Sequence, residues 1–210
     1  MEKKSKIIIA VIVVVIVIIL GLFAYTTFFN KEVTSFDNNF MSGEFTGANV
    51  VSNNTISNDS FSQVYEDKTN NIQYSLQTAD AFNFAVGQYL LKGATGPEKR
   101  DLNGVDWSIY YAPAQNNVTK ASMHIYFCTA TVNNQSYLVM IVAQDSTKIK
   151  CDGTTYCDLY KYYVEPLLSS TQLKQTDKVP TEYSMLGISK SQYDAYLKQI
   201  DSFLVKQGNV

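Results

Sequence analysis

The chain has one histidine, His124, and three cysteines, Cys128, Cys151 and Cys157. Acid–base, nucleophilic or metal chemistry would have to start from these side chains. On an extended strand, His124 and Cys128 stand about 13 Å apart at about 3.3 Å per residue, too far for a local dyad. His124 therefore reads as a strand histidine near a sheet edge unless a distant segment supplies its partner. Asp145 and Asp152 flank a turn and could share a cation, although carboxylates so placed are ordinarily just solvated. A zinc site would need closer cysteine spacing and more than one histidine. The sequence contains no phosphate-binding glycine loop, no Gly-x-Ser-x-Gly elbow, no His-Glu-x-x-His and no calcium loop. No catalytic residue, metal ligand or cofactor is assigned, and the chain reads as a non-enzymatic protein.

Covalent chemistry is better signalled. Cys151 and Cys157 bracket Asp152-Gly153-Thr154-Thr155-Tyr156, whose Asp-Gly turn makes a local disulfide sterically reasonable. Such a ring is worth roughly 2 kcal/mol on the loop-entropy estimate and belongs to an oxidising compartment. Cys128 lies in an apolar strand and reads as a buried thiol. Asn53, Asn58, Asn117 and Asn134 each open an Asn-x-Ser/Thr sequon in an expected loop and are glycosylation candidates. A chain this rich in Asn, Ser and Thr yields about three sequons by chance, so their loop positions matter more than their number.

What must position these groups begins with a membrane. From Ile7 to Phe29 no residue is charged. About 23 residues at about 1.5 Å each make a helix of roughly 34 Å, enough to cross a hydrocarbon core. Ala24-Tyr25-Thr26 is a poor cleavage site, no cysteine follows the apolar run for lipidation, and Ser5, Lys6 and Val11 do not fit a pilin signal. An uncleaved signal anchor is expected. Lys3, Lys4 and Lys6 precede it, while Asn30, Lys31 and Glu32 follow, which predicts a cytoplasmic N-terminus and an extracytoplasmic body. The expected organisation is a cytoplasmic segment 1–6, a transmembrane helix 7–29, a polar stalk 30–39, an α+β domain 40–175, and a link with a C-terminal amphipathic helix over 176–210.

Formal net charge is −2, and Arg100 is the only arginine. A surface built to clamp phosphates would want several guanidinium forks, so nucleic acid is excluded as a partner. In the outer chain, FMSGEFTG at 40–47 predicts a strand and 48–60 a loop. A hairpin follows, with arms at 61–66 and from Ile72 around a turn at 67–71. Ala79, Phe82, Val86, Tyr89 and Leu90 fall on one side of a helix over 79–92, and polar, turn-rich sequence follows to Gly104. Val105, Trp107, Ile109 and Tyr111 alternate as a half-buried strand. Residues 122–132 and 137–145 form an apolar central hairpin across 133–136. Tyr156, Leu159, Tyr160, Tyr163, Val164, Leu167 and Leu168 share a wide helical face, with Thr155 and Asp158 able to cap its start and Pro166 to kink its last turn. Ser189-x-x-Gln192 is a capping box opening a last helix with Tyr193, Tyr196, Leu197, Ile200, Phe203 and Leu204 as its stripe.

This order of elements, with Val105-x-Trp107-x-Ile109-Tyr110 in one strand and a helix ending at Leu167-Leu168-Ser169-Ser170, resembles the PsbP-like fold over about 40–173. The chain also resembles the membrane-anchored exported proteins of archaea. The resemblance implies an antiparallel sheet flanked by helices and an accessory or assembly role beside membrane complexes; the family's metal ligands have no counterpart here. The reading that results is a bilayer-anchored module binding a protein or cell-envelope component through tyrosines such as Tyr110, Tyr111 and Tyr162. Its rivals are an envelope enzyme whose site is assembled from distant residues, and a small-ligand sensor with a pocket between the sheet and the helix at Tyr156–Leu168.

Overall fold

A computed structural model of the chain describes residues 32–53, 58–82, 94–116, 118–146 and 149–206. The transmembrane helix expected at 7–29 lies outside these residues, as does most of the helix expected over 79–92. Among the described residues no helix is long and apolar enough to cross a membrane.

The domain is α+β, with two antiparallel sheets. The smaller sheet has the order β1 (Val33–Asp37), β2 (Met41–Thr46), β11 (Gln172–Leu173). The larger contains β3 (Val50–Ser52), β4 (Asn58–Asp59), β5 (Ser62–Asp67), β6 (Ile72–Ala79), β7 (Thr95–Leu102), β8 (Val105–Gln115), β9 (Ser122–Val132) and β10 (Gln135–Gln144). Its order is β3-β5-β6-β10-β9-β8-β7, with β4 beside β5. Strand register sets the core. Ile72, Tyr74 and Leu76 share a face with Val139, Ile141 and Ala143, with Tyr126, Cys128 and Ala130, and with Trp107, Ile109 and Tyr111. Against that face pack Phe36, Phe40, Met41 and Phe45 of the small sheet and Leu159, Tyr160, Val164, Leu167 and Leu168 of the following helix. Phe45 lies between Phe36, on which it stacks, and the tilted ring of Tyr74, with ring centroids 4.6 Å from each.

That helix begins at Asp158, widens into a π-helical turn, Tyr160–Val164, and continues as α1, Glu165–Ser170. Pro166 falls in the first positions of α1, where its missing N–H is tolerated, so a widened turn before it replaces the expected kink in the last turn. No side chain caps the π turn; Thr155 instead turns its hydroxyl towards that of Thr95, 3.5 Å away. Among the described residues a single-turn helix, α2 (Glu182–Met185), and a longer one, α3 (Lys190–Lys206), follow. The expected capping box forms at the start of α3: Ser189 Oγ accepts from the Gln192 N–H at 3.3 Å, and Gln192 Oε1 accepts from the Ser189 N–H at 2.9 Å. Along α3, Tyr193 and Ile200 are buried and Tyr196 is exposed.

Three expectations need correction. The stalk at 30–39 contains β1, whose Phe36 is buried between exposed neighbours; one apolar residue among polar ones hid the strand. The polar run before Gly104 is β7, an edge strand exposed almost throughout, where charges and Pro97 blunt an otherwise open ladder. The central hairpin turns on two residues, not four: Asn133 and Asn134 both take positive φ, 50° and 62°, the left-handed geometry that matches strand twist.

Candidate functional site

The register of β8, β9 and β10 assembles one hydrogen-bonded chain. His124 lies opposite Pro113 on one side and Ala143 on the other, so Tyr111 and Asp145 come within reach of its ring. His124 Nδ1 is 2.7 Å from the Tyr111 hydroxyl, and Nε2 is 2.9 Å from Asp145 Oδ1. A carboxylate only accepts, so Nε2 carries the proton given to Asp145; in the neutral ring Nδ1 then accepts from the phenol. Tyr111 is fully buried and His124 is 4% exposed, whereas the Asp145 side chain is 41% exposed. The chain therefore runs from the core to water and ends on a carboxylate. A distant segment does supply partners to His124, and the expected place near a sheet edge is corrected: β9 lies inside the sheet, between β10 and β8.

Beside it sits the loop between Cys151 and Cys157, which stand in disulfide geometry with Cα atoms 4.8 Å apart. The loop is held to the sheet from below, where the Tyr126 hydroxyl donates to the Thr155 carbonyl at 2.5 Å. Burial pushes the Tyr126 phenol far up, and the charge of Asp152 adds to it. The Tyr111 phenol is raised by burial and by the charges of Asp145 and Asp152. Asp152 itself is lowered, because the Thr154 hydroxyl and N–H both donate to its carboxylate. Each carboxylate that might have shared a cation thus has its own local donor. Among the described residues no group of three or more His, Cys, Asp or Glu could hold a metal ion. Cys128 is a free, fully buried thiol, pushed up by burial.

On the outer side of the loop a third cluster forms. Tyr156 donates its hydroxyl to Glu98, and the Arg100 guanidinium lies 5.0 Å over the Tyr156 ring. Tyr160 meets the same ring edge-on at 5.0 Å. Glu98 holds the Tyr156 phenol above its usual range, and 37% of Tyr156 remains exposed. Of the tyrosines expected to make contacts, Tyr110 and Tyr111 are buried, on opposite faces of β8, and Tyr162 alone of the three is exposed. Sequence reading missed Tyr156 and Arg100 as a pair because β7 was not seen as a strand. The space between sheet and helix, where the rival sensor reading puts its pocket, holds Tyr160, Val164, Leu167 and Leu168, all buried.

The glycosylation candidates fall in different settings. Asn53 donates to Glu66 Oε1 at 2.6 Å and is half-buried. Asn58 begins β4, and Asn134 is an exposed turn residue. Asn117 lies outside the described residues, beside Val118, which is 90% exposed.

No family model and no curated protein sequence matches the chain. Among solved structures, one protein from Bacteroides thetaiotaomicron VPI-5482 superposes with a TM-score of 0.46 at 9% identity, over 74% of this chain and 56% of its own. The chain thus spans little more than half of that protein. The Ran-binding protein Mog1p of Saccharomyces cerevisiae gives a TM-score of 0.48 at 6% identity, over 69% of this chain and 96% of its own. Neither likeness carries a function across.

Proposed function

We propose that the chain is a single-pass membrane protein with its N-terminus in the cytoplasm, Ile7–Phe29 in the bilayer and its folded domain outside. That domain is a non-enzymatic module binding a protein or cell-envelope component, in the accessory or assembly role that the PsbP-like element order implies. The uncharged run behind Lys3, Lys4 and Lys6 supports the anchoring, and the Cys151–Cys157 pair supports an oxidising side.

The observation that carries the binding reading is the Glu98–Tyr156–Arg100 cluster. Tyrosine and arginine are the residue types that dominate binding energy at interfaces, and here their side chains are already ordered on one another, which lowers the entropy lost on docking. A photo-crosslinking amino acid at Tyr156 of the full-length chain in its own membrane should capture a discrete partner. Arg100→Ala should weaken the capture. An adduct pattern at Tyr156 no different from that at Val51, an exposed residue on the opposite edge of the sheet, contradicts the reading.

The enzyme reading draws on one specific observation, the solvent-facing end of the Tyr111–His124–Asp145 chain. Both ring nitrogens of His124 are engaged and its ring is buried, which leaves no lone pair facing a substrate. A hydrolase activity abolished in His124→Ala would favour the enzyme reading over the binding module.

A further inference from the structure

We infer that the open edge of β7 pairs with β7 of a second copy of this chain, joining the two large sheets into one antiparallel sheet about an axis at Arg100. The inference goes beyond the binding reading above and does not depend on a bilayer. β7 ends its sheet, and its Lys99, Arg100 and Asp101 are exposed. An open ladder of this kind is a template for another strand.

The turn after β7 decides which groups that edge offers. Asn103 and Gly104 both take positive φ, 57° and 73°, the two-residue turn that closes on a hydrogen-bonded pair, here Leu102 and Val105. Bonded and non-bonded pairs alternate along an antiparallel ladder, so Arg100–Trp107 and Glu98–Ile109 are bonded, while Asp101–Asp106 and Lys99–Ser108 are not. The N–H and C=O groups of Lys99 and Asp101 therefore point away from β8. Before Glu98 the register shifts, and Pro97 has no N–H to give, so the usable edge is short.

Charge then selects one partner and one register. An axis through Arg100 sets Lys99 of each copy opposite Asp101 of the other, and each such pair exchanges both ladder bonds and brings opposite charges together. Sliding the strands by two residues fails: one direction puts Lys99 on Lys99 and Asp101 on Pro97, the other puts Asp101 on Asp101. A slide by one residue turns the core faces of the two sheets to opposite sides. The charges that keep β7 from indiscriminate pairing thus leave this register open.

The neighbouring charges fit the same arrangement. Within one sheet Asp101 stands opposite Asp106, a like-charge pair to which Lys99 of the second copy brings a cation. On the other face the two Arg100 side chains meet at the axis. Each guanidinium lies over its own Tyr156 ring, with the carboxylates of Glu98 and Glu165 nearby, so the like charges are offset locally. A contact this short belongs to the small, reversible class of interfaces.

Sedimentation equilibrium of the full-length chain in density-matched detergent tests the pairing, and the parent should show a reversible monomer–dimer equilibrium. Lys99→Asp sets acidic residues opposite one another at both contacts, and Asp101→Lys sets basic ones; each variant alone should raise the dimer Kd by about tenfold. Mixed in equal amounts, the two variants meet with opposite charges and should regain the parent's affinity to within about threefold. A misfolded variant could not do so. The Asp101 carboxylate also accepts from the Gly104 N–H at 3.0 Å, so if Asp101→Lys loses its fold, Arg100→Cys decides instead. At the axis the added thiols of two copies stand within disulfide reach, and Cys128 is buried and Cys151 paired with Cys157, so a cross-linked dimer should form on mild oxidation. A parent that stays monomeric, a dimer that neither reversal weakens, folded variants that associate no better mixed than alone, or no cross-link through Arg100→Cys overturns the inference.

Discussion

The two ends of the β9–β10 hairpin both carry polar networks, but one is closed and the other is open to water. At the turn end, Gln135 is fully buried. Its amide donates to Thr78 Oγ1 at 2.8 Å, and its carbonyl accepts from Gln175 at 2.9 Å and from the Thr176 N–H at 3.0 Å. Tyr137 donates to the Lys174 carbonyl at 3.0 Å, and the Lys174 N–H donates to the Phe40 carbonyl at 2.8 Å. The segment after α1 is thereby tied to both sheets. At the other end, the Tyr111–His124–Asp145 chain is also buried at its origin, yet it finishes on an exposed carboxylate beside the disulfide loop. Buried polarity alone therefore does not mark a site. The closed network has spent its hydrogen bonds on folding; the open one keeps an acceptor, held in fixed orientation, at the surface.

Breaking the closed network should have the largest effect. Gln135→Ala removes the hydrogen bonds to the Thr176 N–H, the Gln175 amide and the Thr78 hydroxyl, which keeps its own donation to the Ser136 carbonyl, and a loss of about 3 kcal/mol in urea-unfolding stability is expected at about 1 kcal/mol for each bond. The open end should yield less. His124→Ala leaves the buried Tyr111 hydroxyl unpaired and should cost about 2 kcal/mol. Tyr111→Phe in that background should then cost little, because the orphan has been removed; full additivity in a double-mutant cycle would show that the two do not interact.

Opening the disulfide loop with Cys151→Ser and Cys157→Ser should lower stability by roughly 2 kcal/mol. Alkali should act on the same loop. The phenols of Tyr126 and Tyr111 are raised in the folded state, so the stabilising contribution is complete below the unfolded value of about 10 and is lost as pH climbs through the folded values. The urea midpoint should therefore fall as pH rises above about 10, and Tyr126→Phe should blunt that fall. The smallest effect is expected for Asp145→Asn. Its side chain is 41% exposed, and the change should cost under about 1 kcal/mol. A loss there as large as that for Gln135→Ala would erase the contrast between the ends.

Much of the fold could be read from residue patterns, and the unread parts share a cause. Helical stripes such as Leu159, Val164, Leu167 and Leu168, and the Ser189–Gln192 box, are local signals that tertiary contacts did not need to override. β7 escaped because an edge strand exposed on both faces has no alternation, and β1 because one buried Phe36 is no period. The His124–Asp145 proximity survives either placement of the hairpin turn. With the two-residue turn at Asn133 and Asn134, Ala143 falls opposite His124 and Asp145 just beyond it. The four-residue turn read from composition would instead set His124 directly opposite Asp145, so the pair was open to a reading that followed the register along both arms. Tyr111 adds a second register, between β8 and β9, that no single segment encodes. For the turn itself the Asn-Asn dipeptide was the available signal, since both residues tolerate positive φ.

The claim on which the functional account stands is that the body from Thr34 onward lies outside a bilayer crossed by Ile7–Phe29. Protease added to intact cells, compared with inverted membrane vesicles from the same cells, tests it directly. The account predicts that the body is digested in cells and survives in inverted vesicles, leaving the anchor in the membrane pellet. Digestion in the inverted vesicles alone, or recovery of the full-length chain in the soluble fraction, contradicts it.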